Sequence, residues 1–144
     1  MQTVLLIEDS KFLRVATQQL LVKAGYNVVT AGDGDEALRV AGEKHPDVIL
    51  LDMMLPKLSG LDVLRHLKEN AATVHIPVII LTGLSRKNEA NLRRDGAAGF
   101  VEKDSVLQSP QELYDAIELV VDTRVGTSAI TPSTVSQNLN NVPR

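Results

Sequence analysis

Residues 1–122 alternate between two hydrophobic periods, and the alternation repeats five times. The run Thr3–Glu8 (TVLLIE) predicts a first strand, β1. Ser10 then offers a side-chain cap, and Phe12, Leu13, Ala16, Leu20, Leu21 and Ala24 recur at helical spacing until Gly25 stops the helix, α1. Tyr26–Ala31 (YNVVTA) is strand-like, β2. GDGDEALRVAGEKH supplies turn residues and then a helix, α2, with Ala37, Leu38 and Ala41 inward and an end before Pro46. Asp47–Asp52 (DVILLD) is β3; after the turn-rich PKLSG, a helix α3 sets Leu61, Leu64 and Leu67 on one side, with Asp62, Arg65 and Lys68 elsewhere. Ile76–Thr82 (IPVIILT) is β4, Ser85–Gly96 (SRKNEANLRRDG) is a polar helix candidate, α4, and Gly99–Lys103 is β5. The last helix, α5, spans about Ser109 to Asp122, with Pro110 at its first position and Leu113, Ile117, Val120 and Val121 apolar.

Several of the strand runs are continuous rather than alternating in polarity, as strands buried on both faces are. Together with the strand–helix repetition, this predicts an α/β fold: a parallel sheet covered by helices on both sides. With 3% aromatic residues the core must be aliphatic, and 144 residues suffice for one domain without metals or disulfides. There is no cysteine, so thiolate metal sites and cysteine nucleophiles are excluded. No apolar run approaches the roughly 18 to 20 residues that span a bilayer, and the N-terminus lacks a signal-peptide layout, so a cytoplasmic protein is expected. The net charge of −3 advertises neither nucleic acid nor membrane. Residues 123–144 differ: they hold two arginines and no acid, and their Thr, Ser, Asn and Pro content predicts a flexible tail or linker stub after a domain spanning 1–122.

Ligands of an open parallel α/β sheet bind outside the carboxyl ends of its strands, where the strand order reverses. Here those ends carry Glu8 and Asp9 (β1), Asp52 (β3), Thr82 (β4) and Lys103 (β5). Clustered carboxylates resist ionisation unless a cation neutralises them, and hard oxygen ligands suit Mg²⁺, which takes one or two carboxylates and keeps several waters. Lys103 adds an ammonium and Thr82 a hydroxyl donor, so a phosphoryl group on Asp52 would find charge and hydrogen bonds around its oxygens.

The segments IEDS, ILLDMMLPKLSG, IILTG and GFVEK, in this order and spacing, resemble the receiver domain of bacterial two-component response regulators over about residues 1–122. The resemblance implies a (βα)5 doubly wound, flavodoxin-like sheet in order 2-1-3-4-5. It implies that Asp52 accepts a phosphoryl group from a histidine kinase or a histidine phosphotransfer protein. Mg²⁺ would be held by Asp9, Asp52, the backbone carbonyl of Met54 and, through water, Glu8. Lys103 would pair with the phosphoryl group, Thr82 would move toward it, and Phe100 would occupy the rotameric switch position, biasing an α4-β5-α5 face that also allows a homodimer. Such a chain is a signalling phosphoacceptor taking part in its own phosphotransfer and dephosphorylation, not an enzyme, and nothing after residue 122 offers an output domain. It reads as a stand-alone receiver or one cut from a longer regulator. Two positions depart from the family: Asp104 stands where proline usually follows the lysine, which predicts a trans bond and a reshaped loop, and Phe100 replaces the frequent tyrosine.

A rival reading is a small Mg²⁺-dependent phosphatase with Asp52 as covalent nucleophile, but those enzymes want an acid two residues later, where Met54 stands. A flavin module on the same sheet would want a phosphate-cradling loop after β1, where acids stand instead. His45, His66 and His75 are scattered without metal-ligand spacing and read as surface or loop positions. Arg86, Lys87, Arg93 and Arg94 make α4 basic, in the first instance a solvated face.

Overall fold

The computed structural model describes residues 1–83 and 88–129, the last seven of these by backbone alone. Its elements run β1 Thr3–Ile7, α1 Lys11–Lys23, β2 Asn27–Ala31, α2 Gly34–Lys44, β3 Val48–Asp52, α3 Gly60–Glu69, β4 Val78–Thr82, α4 Glu89–Arg94, β5 Gly99–Glu102 and α5 Gln111–Ala129. The five strands form one parallel sheet in the order β2-β1-β3-β4-β5.

Alternation along each strand divides the core into two layers. Leu5, Ile7, Ile49, Leu51, Val78 and Ile80 face a layer closed by Ala37, Val40 and Ala41 of α2, Val63, Leu64 and Leu67 of α3, and Leu92 of α4. Val4, Leu6, Val48, Leu50, Ile79, Leu81 and Val101 face the other, closed by Leu21 of α1 and Leu113, Ile117, Val120 and Val121 of α5. All five residues of β3 and of β4 are buried, which is why their sequences lack a polar face.

Local chemistry sets the helix starts. Ser10, Asp33 and Ser59 each accept a hydrogen bond from the amide three residues on, so α1, α2 and α3 begin directly after their strand-end loops. Gly60 acts through close approach instead, since a Cβ there would lie 2.6 Å from Met53 Cα and 2.8 Å from the Asp52 carbonyl oxygen. Only glycine lets α3 start against the backbone that carries Asp52.

Three expectations need correction. Phe12, counted in the apolar periodicity of α1, is 74% exposed; Thr17 and Leu21 are the buried residues of that helix. The reason is geometric: Phe12 sits in the first turn, and the sheet covers α1 along the side that carries Thr17 and Leu21. Second, α5 continues seven residues past Asp122 to Ala129, because each further residue adds a backbone hydrogen bond without needing an apolar stripe. Third, Lys103 does not end β5 but opens a 3₁₀ turn over Lys103–Ser105. The described part of α4 has six residues. Arg86 and Lys87, and the tail from residue 130 on, lie outside the described residues.

Candidate functional site

The site is assembled from four strand ends. Leu51 pairs with Ile7, Asp52 with Leu81, and Thr82 with Glu102, so the residues following β1, ending β3 and β4 and following β5 share one edge of the sheet. Glu8 extends β1 by one rung, its amide donating to the Ala31 carbonyl at 3.0 Å. One carboxylate oxygen each from Glu8, Asp9 and Asp52 lies within 4.8 Å of the others. Glu8 and Asp52 are buried, at 2% and 1% exposure, whereas Asp9 faces solvent.

Lys103 closes the group. Its ammonium donates to Asp52 Oδ2 at 2.6 Å and stands 3.3 Å from Glu8 Oε1. The other Asp52 oxygen, Oδ1, accepts from the Met54 amide at 3.0 Å, and Glu8 Oε2 accepts from the Ser10 amide at 3.0 Å. Burial pushes the Glu8 carboxyl above its ordinary range and the Asp52 charge adds to this, against the opposing pull of the Ser10 amide and Lys103. Burial alone would lower Lys103; its hydrogen bond to Asp52 and the charges of Asp52 and Glu8 outweigh that and raise it. Its side chain is 22% exposed, so the residue is not sealed in the core.

The donor set fits a divalent cation. Three carboxylates converge, and Lys103 is the one side-chain cation bonded to their oxygens among the described residues, so the cluster keeps net negative charge. All its ligand atoms are hard oxygens, the kind Mg²⁺ takes. Met54 turns its side chain to solvent, at 78% exposure, and only its backbone is turned to the site's use.

The remaining predicted residues are placed less directly. Thr82 is buried at the end of β4, and its hydroxyl donates to the Gly83 carbonyl at 2.9 Å. Phe100 is buried in β5 with the Arg93 guanidinium 4.7 Å from its ring centroid. No cis peptide occurs among the described residues; Lys103–Asp104 is trans, and Ser105 Oγ ties the 3₁₀ turn back to the Glu102 carbonyl at 3.1 Å. One participant escaped the sequence reading. Arg14 Nη1 donates to the carbonyl oxygens of Glu8 at 2.8 Å and Asp9 at 3.3 Å, and its only sequence signal is an arginine just over a turn downstream of the acid pair.

Residues 4–118 match the family described as response regulator receiver domain. The polar-differentiation response regulator DivK of Brucella ovis is 36% identical over 103 residues, covering 71% of this chain and 84% of that protein. Among solved structures, the response regulator domain of Thermotoga maritima CheB superposes with a TM-score of 0.76 at 28% identity, over 85% of this chain and 97% of that one. A CheY-like receiver domain protein from Methanospirillum hungatei superposes with a TM-score of 0.79 at 23% identity, over 88% and 98%, a likeness of fold.

Proposed function

This chain belongs to the response regulator receiver domain family, and from that premise we propose that Asp52 is the residue that takes the phosphoryl group. The observation that carries the reading is the 2.6 Å contact from the Lys103 ammonium to Asp52 Oδ2, which puts a buried carboxylate and a charge partner for phosphoryl oxygens at the same point of the sheet edge. The phosphodonor is a phosphohistidine of a histidine kinase or a phosphotransfer protein. An Asp52 carboxylate oxygen bonds to phosphorus as the phosphorus–nitrogen bond breaks, and the leaving imidazole keeps the electron pair and takes up a proton. Asp9, Asp52, the Met54 carbonyl and Glu8 would hold Mg²⁺, which would supply divalent charge against the phosphoryl oxygens.

Lys103 exchanges its carboxylate contact for a phosphoryl oxygen. Thr82 releases the Gly83 carbonyl and donates to another phosphoryl oxygen, and Phe100 reports the change to the face formed by α4, β5 and α5. The protein is a signalling domain and not a classical enzyme; we assign its own dephosphorylation to the same site. The phosphatase alternative would need an acid where Met54 presents an exposed thioether. Among the described residues no helix is long and apolar enough to cross a membrane, and we assign the chain to the cytoplasm.

Incubation with acetyl phosphate and Mg²⁺ adds one phosphoryl mass to the intact protein, and Asp52→Asn abolishes the addition. Labelling that persists in the variant would overturn the assignment.

A further inference from the structure

Arg14 lies in the second turn of α1, and its side chain reaches back toward the loop that precedes the helix. Nη1 donates to two consecutive carbonyl oxygens, those of Glu8 and Asp9, which are the backbone oxygens of two of the three clustered acids. Room for the guanidinium comes from the neighbouring loop: a Cβ on Gly32 would sit 3.3 Å from Nη1 and 3.8 Å from its carbon Cζ. Gly32 does not have a positive φ, so what its missing Cβ provides here is space. The Gly32 amide is in turn fixed by Glu36 Oε1 at 2.8 Å, which holds that wall in place.

Arg14 and Lys103 therefore treat the acids differently. Lys103 occupies carboxylate oxygens of Glu8 and Asp52, whereas the Arg14 hydrogen bonds among the described residues go to the backbone behind the acid pair and take none of the carboxylate oxygens. We propose that Arg14 is a positioning residue for the divalent-cation site: it clamps the carbonyls of Glu8 and Asp9 so that their carboxylates are held toward Asp52. The proposal rests on the reading of this cluster as a Mg²⁺ site. Two effects of the guanidinium oppose one another. Its charge repels an arriving cation, so charge alone predicts tighter Mg²⁺ binding when Arg14 is removed. Its clamp fixes ligand orientation, and loss of such supporting contacts weakens metal binding. Solvent screens the repulsion at this partly exposed residue, and the orientation effect wins.

The test is calorimetric titration of the full chain with Mg²⁺, without any phosphodonor, beside thermal melting in EDTA. Arg14→Met raises the Mg²⁺ dissociation constant on the order of tenfold. Arg14→Lys, which keeps a donor able to reach the carbonyls, recovers most of the affinity, and Gly32→Ala, which crowds the guanidinium, weakens binding in the same direction by less. A merely structural arginine would lower the melting temperature in EDTA and leave the dissociation constant of the folded protein unchanged. Unchanged or tighter binding by Arg14→Met overturns the proposal. If that variant does not fold, wild-type affinity in Gly32→Ala does so instead. Absence of Mg²⁺ binding by the unsubstituted chain overturns the metal reading and the proposal with it, whereas a binding wild type with an indifferent Arg14→Met overturns the proposal alone.

Discussion

Lys103 shows what a single side chain contributes before any ligand arrives. Its ammonium meets two buried carboxylates, and without it, among the described residues, the Met54 and Ser10 amides alone would donate to Asp52 and Glu8. Removing one member of a buried ion pair leaves an uncompensated charge in place, so Lys103→Met destabilises the protein in EDTA by on the order of 3 kcal/mol. Thermal or urea denaturation measures the loss, and added Mg²⁺ narrows the gap because a second cation then serves the same carboxylates. At this scale the sequence was generous with identities: Glu8, Asp9, Asp52 and Lys103 are found together as their positions at strand ends implied. Contacts made through the backbone were not legible. Arg14 binds carbonyls, which every residue has, so no residue type marks its target.

Among the elements, the link from α3 to β4 is tied by one half-buried cation. Lys68 of α3 runs its stem beneath Gly96, with Cγ 2.7 Å from where a Cβ would be, and donates to the carbonyls of Val74 and Ile76 at 3.0 and 2.6 Å. Burial lowers its pKa from the ordinary 10.5. The sign follows from proton counting: between the lowered folded value and 10.5 the unfolded chain binds more protons, so this group's contribution to stability rises with pH across that window. Lys68→Met strips two carbonyls of a donor, costs about 1–3 kcal/mol near neutral pH and removes that alkaline rise. Urea denaturation of both proteins at several alkaline pH values gives the difference directly. The periodic pattern marked Lys68 as pointing away from the apolar stripe, and so it does, but only the turn after α3 brings two carbonyls to its end. Helix ends were likewise set by more than pattern. The cap of α1 was visible as Ser10, the Asp33 and Ser59 caps of α2 and α3 lay unmarked inside turn-rich segments, and α5 runs on to Ala129 without an apolar stripe to announce it.

At the scale of the whole molecule, the described residues form one sheet with two apolar layers, and the family match ends at residue 118, inside α5. Val120 and Val121 are the last buried side chains among the described residues. From the composition of residues 123–144 we predict that a chain ending at Ala129 keeps the melting temperature and the Mg²⁺ response of the full protein; a clear drop in a differential scanning measurement would mean that residues 130–144 pack on the domain. What the sequence determined by itself was the alternation of strands and helices and the set of acids and base at the strand ends, because period and residue type are local properties. The resemblance to receiver domains supplied the strand order. Tertiary structure decided what depends on distance between separated segments: that Lys103 spans 51 positions to reach Asp52, that Phe12 faces solvent, that Gly60 lets α3 meet the Asp52 backbone, and that Arg14 turns back onto the acid pair. These follow from packing two layers against one twisted sheet, and packing joins residues that no local pattern relates.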